Sequence, residues 1–181
     1  MTTRDKNRLT EYVLYILNST KGSDAYHIFK ILYFAEMKHL FKWGQGMVPD
    51  TFHAFENGPV PFELYNALKS MSDGNVELAS NLAEVVRSAD EDANNILLAN
   101  REYNGKFISK AAKAALDESI RENKDLSFDE LRTKSHDSAW QEARDKVNGT
   151  DEIYPVSMAK VMGADDALLE YIKDQLDLRF A

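Results

Sequence analysis

Cysteine is absent from this chain of 181 residues. Disulfide staples, zinc–thiolate centres and thiol nucleophiles are therefore excluded. Long apolar runs are missing as well, and none approaches the ~18 residues of a membrane span. The opening residues, Met1-Thr2-Thr3-Arg4-Asp5-Lys6, lack the apolar core of a secretory signal. A cytoplasmic location with no membrane partner is the expectation. Proline and glycine are scarce, at four and eight residues, and they stand at joints without forming a linker. One domain over 1–181 is expected. Basic side chains are outnumbered by acidic ones, 22 to 30, for a net charge of −8. Nucleic-acid binding draws on Lys and Arg that displace counterions from phosphate, so direct nucleic-acid binding is not expected. The small basic cluster Arg4, Lys6 and Arg8 reads as the solvated first turns of a helix. Acidity of this order favours a basic partner but names none.

What is present is helical periodicity. Leu9, Tyr12, Val13, Ile16 and Leu17 recur at helical spacing, and Lys21-Gly22 closes that segment. Ser23 is the expected N-cap of a second helix over 24–41. Two apolar stripes run along it, Ile28, Ile31, Leu32, Ala35 and Phe29, Tyr33, Met37, Phe41. A helix apolar on most sides must be surrounded, which places it at the centre of the fold. Gly44 and Gly46 break the chain, residues 51–56 read as a strand, and Asn57-Gly58-Pro59 turns it. Pro61 is expected to open the next helix, which carries Leu64, Tyr65 and Leu68 and is stopped by Ser72-Asp73-Gly74-Asn75.

Residues 76–106 hold two short apolar runs, around Val85-Val86 and Ile96-Leu97-Leu98, separated by Asp90-Glu91-Asp92. They read as a hairpin pairing with the 51–56 strand, with short helices as the alternative. Helix returns after Ser109, with Ala112, Ala115, Leu116 and Ile120 on one face. Ser127 and Glu130 form a capping box, and Ser138 with Gln141 suggests another. Ser157 is expected to open a short helix ended by Gly163, and a last helix starts near Asp165. The fold class expected is mostly α within α+β: a multi-helix bundle around a central apolar helix, with a small β-sheet or hairpin.

Three kinds of residue pattern could carry chemistry. Glu36 and His39 have the Glu-x-x-His spacing of di-iron bundles, but such a site needs a second pair on a facing helix. The comparable Asp24 and His27 lie on the same helix, ~18 Å away at the helical rise. His136-Asp137 beside Ser135 and Ser138 invites a hydrolytic triad, yet triads assemble from residues distant in sequence. These residues read instead as a tight turn satisfying helix ends. Phosphate-loop, dinucleotide and zinc-protease patterns are absent. No catalytic residue, metal ligand or cofactor is expected.

The segment Lys30-Ile31-Leu32-Tyr33-Phe34-Ala35 with His39, then Phe55-Glu56-Asn57-Gly58-Pro59-Val60, then Leu64-Tyr65, resembles the opening of the Panacea antitoxin domain, the family of the SocA-type antitoxins. Leu126-Ser127 with Glu130-Leu131, followed by Ser135-His136 and Trp140, resembles its C-terminal signature, with Ser135 where the family has Thr. The resemblance covers about 24–145. It implies a non-enzymatic antitoxin, encoded beside a toxin or within a phage or other mobile element. Such a protein binds and neutralises a cognate protein toxin and in SocA-type members delivers it to an ATP-dependent protease. Leu32, Tyr33, Phe34, Gly58, Pro59 and Tyr65 are then structural motif residues. Trp43, Glu56, Asn57, His136 and Trp140 are the candidate partner-binding residues. Trp43 sits in a Gly-flanked loop, where a packed plug is the alternative to an exposed anchor. Two other readings stand beside this one: a ligand-binding protein or enzyme whose pocket is lined by Glu56-Asn57-Gly58, and a prophage regulator of a host partner.

Overall fold

A computed structural model of the protein describes residues 1–71, 77–89, 95–146 and 151–180, with side chains to 177. Helix α1 (Thr3–Thr20) starts on a capping box, with Thr2 and Asp5 each accepting the other's backbone N–H. Leu9, Tyr12, Val13, Ile16 and Leu17 are buried along it. It ends at Lys21, whose left-handed backbone (φ 58°) returns an N–H to Leu17.

Helix α2 (Ala25–Trp43) is capped by Asp24, not by Ser23. Asp24 accepts the His27 backbone N–H at 2.9 Å. Ser23 is drawn instead into an isolated β-bridge with Leu97. The centre of α2 is as apolar on all sides as its surroundings require: Ile28, Ile31, Leu32, Tyr33 and Ala35 have no exposed surface and Phe34 very little. Helices α5 (Lys110–Asn123), α6 (Phe128–Ser135) and α8 (Pro155–Val161) pack around it. The expected second stripe fails at its end. Phe41 is 42% exposed, because the last turn of α2 runs past the elements that cover the rest.

Strand β1 (Phe52–Phe55) pairs antiparallel with β2 (Gly58–Pro61) and, on its other edge, with β5 (Glu152–Ile153). The expected partner of β1 was a hairpin within 76–106. That segment divides differently: α4 (Glu77–Val85) comes first, then β3 (Val86–Ser88) and β4 (Leu97–Ala99), which form a separate two-stranded sheet. Leu78, Ala79 and Leu82 give α4 a buried helical face, which decides between the two alternatives for its half. The Asp90-Glu91-Asp92 turn and the Ser72-Asp73-Gly74-Asn75 stop lie outside the described residues.

Pro61 is the last residue of β2 and the N-cap of α3 (Phe62–Lys69), one position earlier than expected, and carries no capping group. Asp50 supplies it from the preceding loop, accepting the N–H groups of Glu63 at 3.1 Å and Leu64 at 3.0 Å. Ser109 caps α5, and the Ser127–Glu130 box opens α6, both as expected. The Ser138–Gln141 box does not form. Asp137 caps α7 (Ser138–Arg144) by accepting the Trp140 N–H, and Gln141 turns to Asp145. Helix α8 starts at Pro155, two residues before Ser157, because proline suits the first helical position. Asp165 accepts the Leu168 N–H at the start of α9 (Asp166–Phe180). No helix among the described residues is long and apolar enough to cross a membrane.

Candidate functional site: the β1–β2 turn and its clamp

The turn between β1 and β2 presents Glu56 and Asn57 to solvent and buries Gly58 and Pro59 behind them. Gly58 takes φ +100°, a backbone that side chains disfavour. A Cβ at Gly58 would also stand 2.5 Å from Ser135 Oγ and 2.8 Å from Lys30 Nζ. The hairpin backbone is thus pressed against α2 on one side and the end of α6 on the other.

Lys30 is the centre of that contact. It has no exposed surface, and Nζ donates to the Pro59 carbonyl at 2.8 Å. The Tyr26 ring lies 4.6 Å from the ammonium, and no carboxylate pairs with it among the described residues. Burial alone pushes the Lys30 pKa down to about 7. Tyr26 itself donates its hydroxyl to the Asn57 carbonyl at 3.0 Å, tying the tip of the turn to the first turn of α2.

The α6–α7 junction closes the other side. Trp140 Nε1 donates to the Phe55 carbonyl at 2.9 Å. His136 stacks flat on Trp140, with ring centroids 3.8 Å apart and planes 4° apart. Burial first, then the charges of Arg132 and Lys30, hold the His136 pKa below its usual value. Asp137 Oδ1 accepts the Trp140 N–H at 2.9 Å and Oδ2 accepts the Tyr33 hydroxyl at 2.8 Å. Burial raises its pKa. Ser135 is fully buried and donates to the Arg132 carbonyl at 3.3 Å. Serine, histidine and aspartate are therefore neighbours here, with Ser135 and Asp137 bonded away from the imidazole and His136 Nε2 buried without a hydrogen-bond partner among the described residues.

Phe128, 46% exposed, packs on Tyr26 with centroids 4.4 Å apart. Tyr65 stands edge-on to Phe55 at 4.9 Å, under the same hairpin. Glu56, Asn57, His136 and Trp140 are thus brought to one region from positions some eighty residues apart. Trp43 is not. It is the final residue of α2 and not part of a loop, ~20 Å along the helix from Lys30. It is 51% exposed, which removes the packed-plug alternative.

In the sequence Lys30 stands only as part of a motif, and Tyr26 and Phe128 are not among the candidate binding residues. A signal was available. A lysine inside a helix apolar on every side is a buried cation, and Tyr26 precedes it by one turn on the same face. The Glu36–His39 pair serves the loop after α2: Glu36 Oε2 accepts the N–H groups of Met47 and Val48, both at 2.8 Å, and His39 Nδ1 donates to the Gln45 carbonyl at 2.6 Å. Among the described residues no three His, Asp or Glu side chains are placed to hold a metal ion.

Comparison with known families matches residues 28–141 to the Panacea domain of SocA-like antitoxins. That span lies inside the 24–145 read from the motifs, and it contains Lys30, the turn, Phe128 and Trp140, with Tyr26 just before it. No curated protein and no solved structure matches the chain.

Proposed function

This chain belongs to the SocA-like Panacea antitoxin family, and from that premise we propose that it neutralises a cognate protein toxin by binding it through the turn of β1–β2 and the aromatic rim beside it. The observation that carries the reading is the clamp. Glu56 and Asn57 are exposed, yet the backbone on both sides of them is fixed by bonds from Tyr26, Lys30 and Trp140. A rigid tip loses little freedom on association, which favours affinity. Phe128 adds an exposed aromatic next to it, the residue class that most often anchors an interface. The net charge of −8 favours a basic toxin surface.

Action is stoichiometric in this reading, without turnover. Co-expression with the toxin at graded ratios tests it: protection should rise with antitoxin up to equivalence. Glu56→Arg combined with Phe128→Ala should abolish capture of the toxin while the circular dichroism and melting temperature stay near wild type. Protection that persists in that variant would move the interface elsewhere. Rescue far below equivalence that needs an ATP-dependent protease would favour delivery for degradation, and the same rescue without a protease would point to an enzyme.

A further inference from the structure

The basic cluster Arg4, Lys6 and Arg8 does not behave as one group. Arg4 and Arg8 are one helical turn apart and share a face of α1, whereas Lys6 projects away and pairs with Glu77 of α4. Arg4 and Arg8 line an open cavity of about 300 Å³ framed by α1, the end of α2 with its following loop, and residues 106–109 leading into the start of α5. Tyr12, His39, Lys106 and Phe107 line it too. None of its eleven lining residues is acidic, although the chain carries a net charge of −8.

The cations there are poorly satisfied. Arg4 and Lys106 make no ion pair among the described residues. Arg8 has one, with Asp5, at 3.2 Å from Nη2. Its Nε is buried and has no hydrogen-bond partner among the described residues, a costly condition for a guanidinium donor. His39 Nδ1 donates to the Gln45 carbonyl, which leaves Nε2 without a partner among the described residues. Glu36 stands behind the Gly46 wall, with Oε2 bonded to Met47 and Val48 N–H.

We propose that this cavity binds a phosphomonoester of small-molecule size, with a nucleoside monophosphate as its representative. A doubly charged phosphate suits two guanidinium groups and an ammonium, since the planar fork of arginine matches its oxygens. Phe107 and Ile108 supply an apolar wall for the organic part. The volume is at the lower end of the range for small-ligand pockets, which fits a mononucleotide better than a larger cofactor. Overall acidity disfavours a nucleic-acid strand, whose further phosphates would lie on negative surface. The site is separate from the β1–β2 turn.

The test uses the full chain with adenosine monophosphate, inorganic phosphate and adenosine, at matched ionic strength. Calorimetry and amide chemical shifts should show saturable binding of the monophosphate, weaker binding of phosphate and none of adenosine. The shifted amides should be those of Gly46, Ser109 and Ala112, with Gly58 unmoved. Arg4→Gln with Lys106→Gln should weaken binding about tenfold or more. Both residues are exposed, so the ligand-free melting temperature should hold. Arg8→Gln should act in the same direction. No response beyond that to chloride, unchanged affinity in the double variant, or binding of an oligonucleotide but not of the mononucleotide would each overturn the proposal.

Discussion

Lys30 is held in its buried position by one hydrogen bond and one aromatic face, and that makes stability depend on pH. An unfolded lysine keeps its proton to about pH 10.5, whereas this one releases it at about 7. Between those values the unfolded chain binds more protons, so stability rises with pH across that window. Below about pH 7 both states are charged and the cost of burial is felt in full. Lys30→Met removes the titration. Urea denaturation of the two proteins should show the wild type gaining on the variant, by a few kcal/mol in order of magnitude, between pH 7 and 10. Parallel curves would show that the lysine titrates normally. Gly58 offers a second check at the same contact. Gly58→Ala should cost at least about 1–2 kcal/mol for the left-handed backbone, with the approach to Ser135 Oγ and Lys30 Nζ added to it. A variant of wild-type stability that no longer binds its partner would make this glycine a binding residue.

Elements in this protein are stabilised in two ways, by central burial and by caps supplied across the fold. Leu32 in α2 has no exposed surface, and Leu32→Ala should lower stability by about 2–5 kcal/mol, read from denaturant midpoints. An unchanged midpoint would deny α2 its central place. Helix α3 depends on Asp50, eleven residues before Pro61, because the residue at its own cap has no side-chain acceptor. Asp50→Ala should cost about 0.5–2 kcal/mol, the range for lost caps, although no rule of local spacing would find it. Burial lifts the Asp50 pKa to about 6, so the folded state holds its proton longer than the unfolded chain does. Its contribution therefore falls as pH rises from about 4 to 6 and is constant above.

The molecule as a whole offers two aromatic surfaces at opposite ends of α2. One is the clamped turn with Phe128, and the other is Trp43 with Phe41 and Tyr171, each more than 40% exposed. Both Trp43 and Phe128 are exposed enough that truncation to alanine should change stability by no more than about 0.5 kcal/mol. Their effects on toxin capture should differ. Phe128→Ala should weaken the complex, and Trp43→Ala should leave it intact if the turn is the interface. Measuring both dissociation constants separates the two surfaces, and the opposite ranking would transfer the proposal to the end of α2.

The chain's own pattern was sufficient for several features. The apolar wrap of 28–37 demanded a central helix, Ser109 and the Ser127–Glu130 box set two helix starts, and the order of motifs from Lys30 to Trp140 marked the family over about 24–145, within which the family match covers 28–141. These are local signals, complete within a few residues, or their sequence order. What required tertiary structure was every choice between equal local candidates. Asp24 caps α2 because Ser23 is bridged to Leu97, and Asp137 caps α7 in place of Ser138. Likewise β1 found its outer partner in β5, almost a hundred residues away, and not in the nearer hairpin. The site follows the same division. The residues of the turn were legible, but its rigidity was not, because it comes from Tyr26, Lys30 and Trp140 donating to backbone carbonyls, and a carbonyl has the same sequence signature at every position.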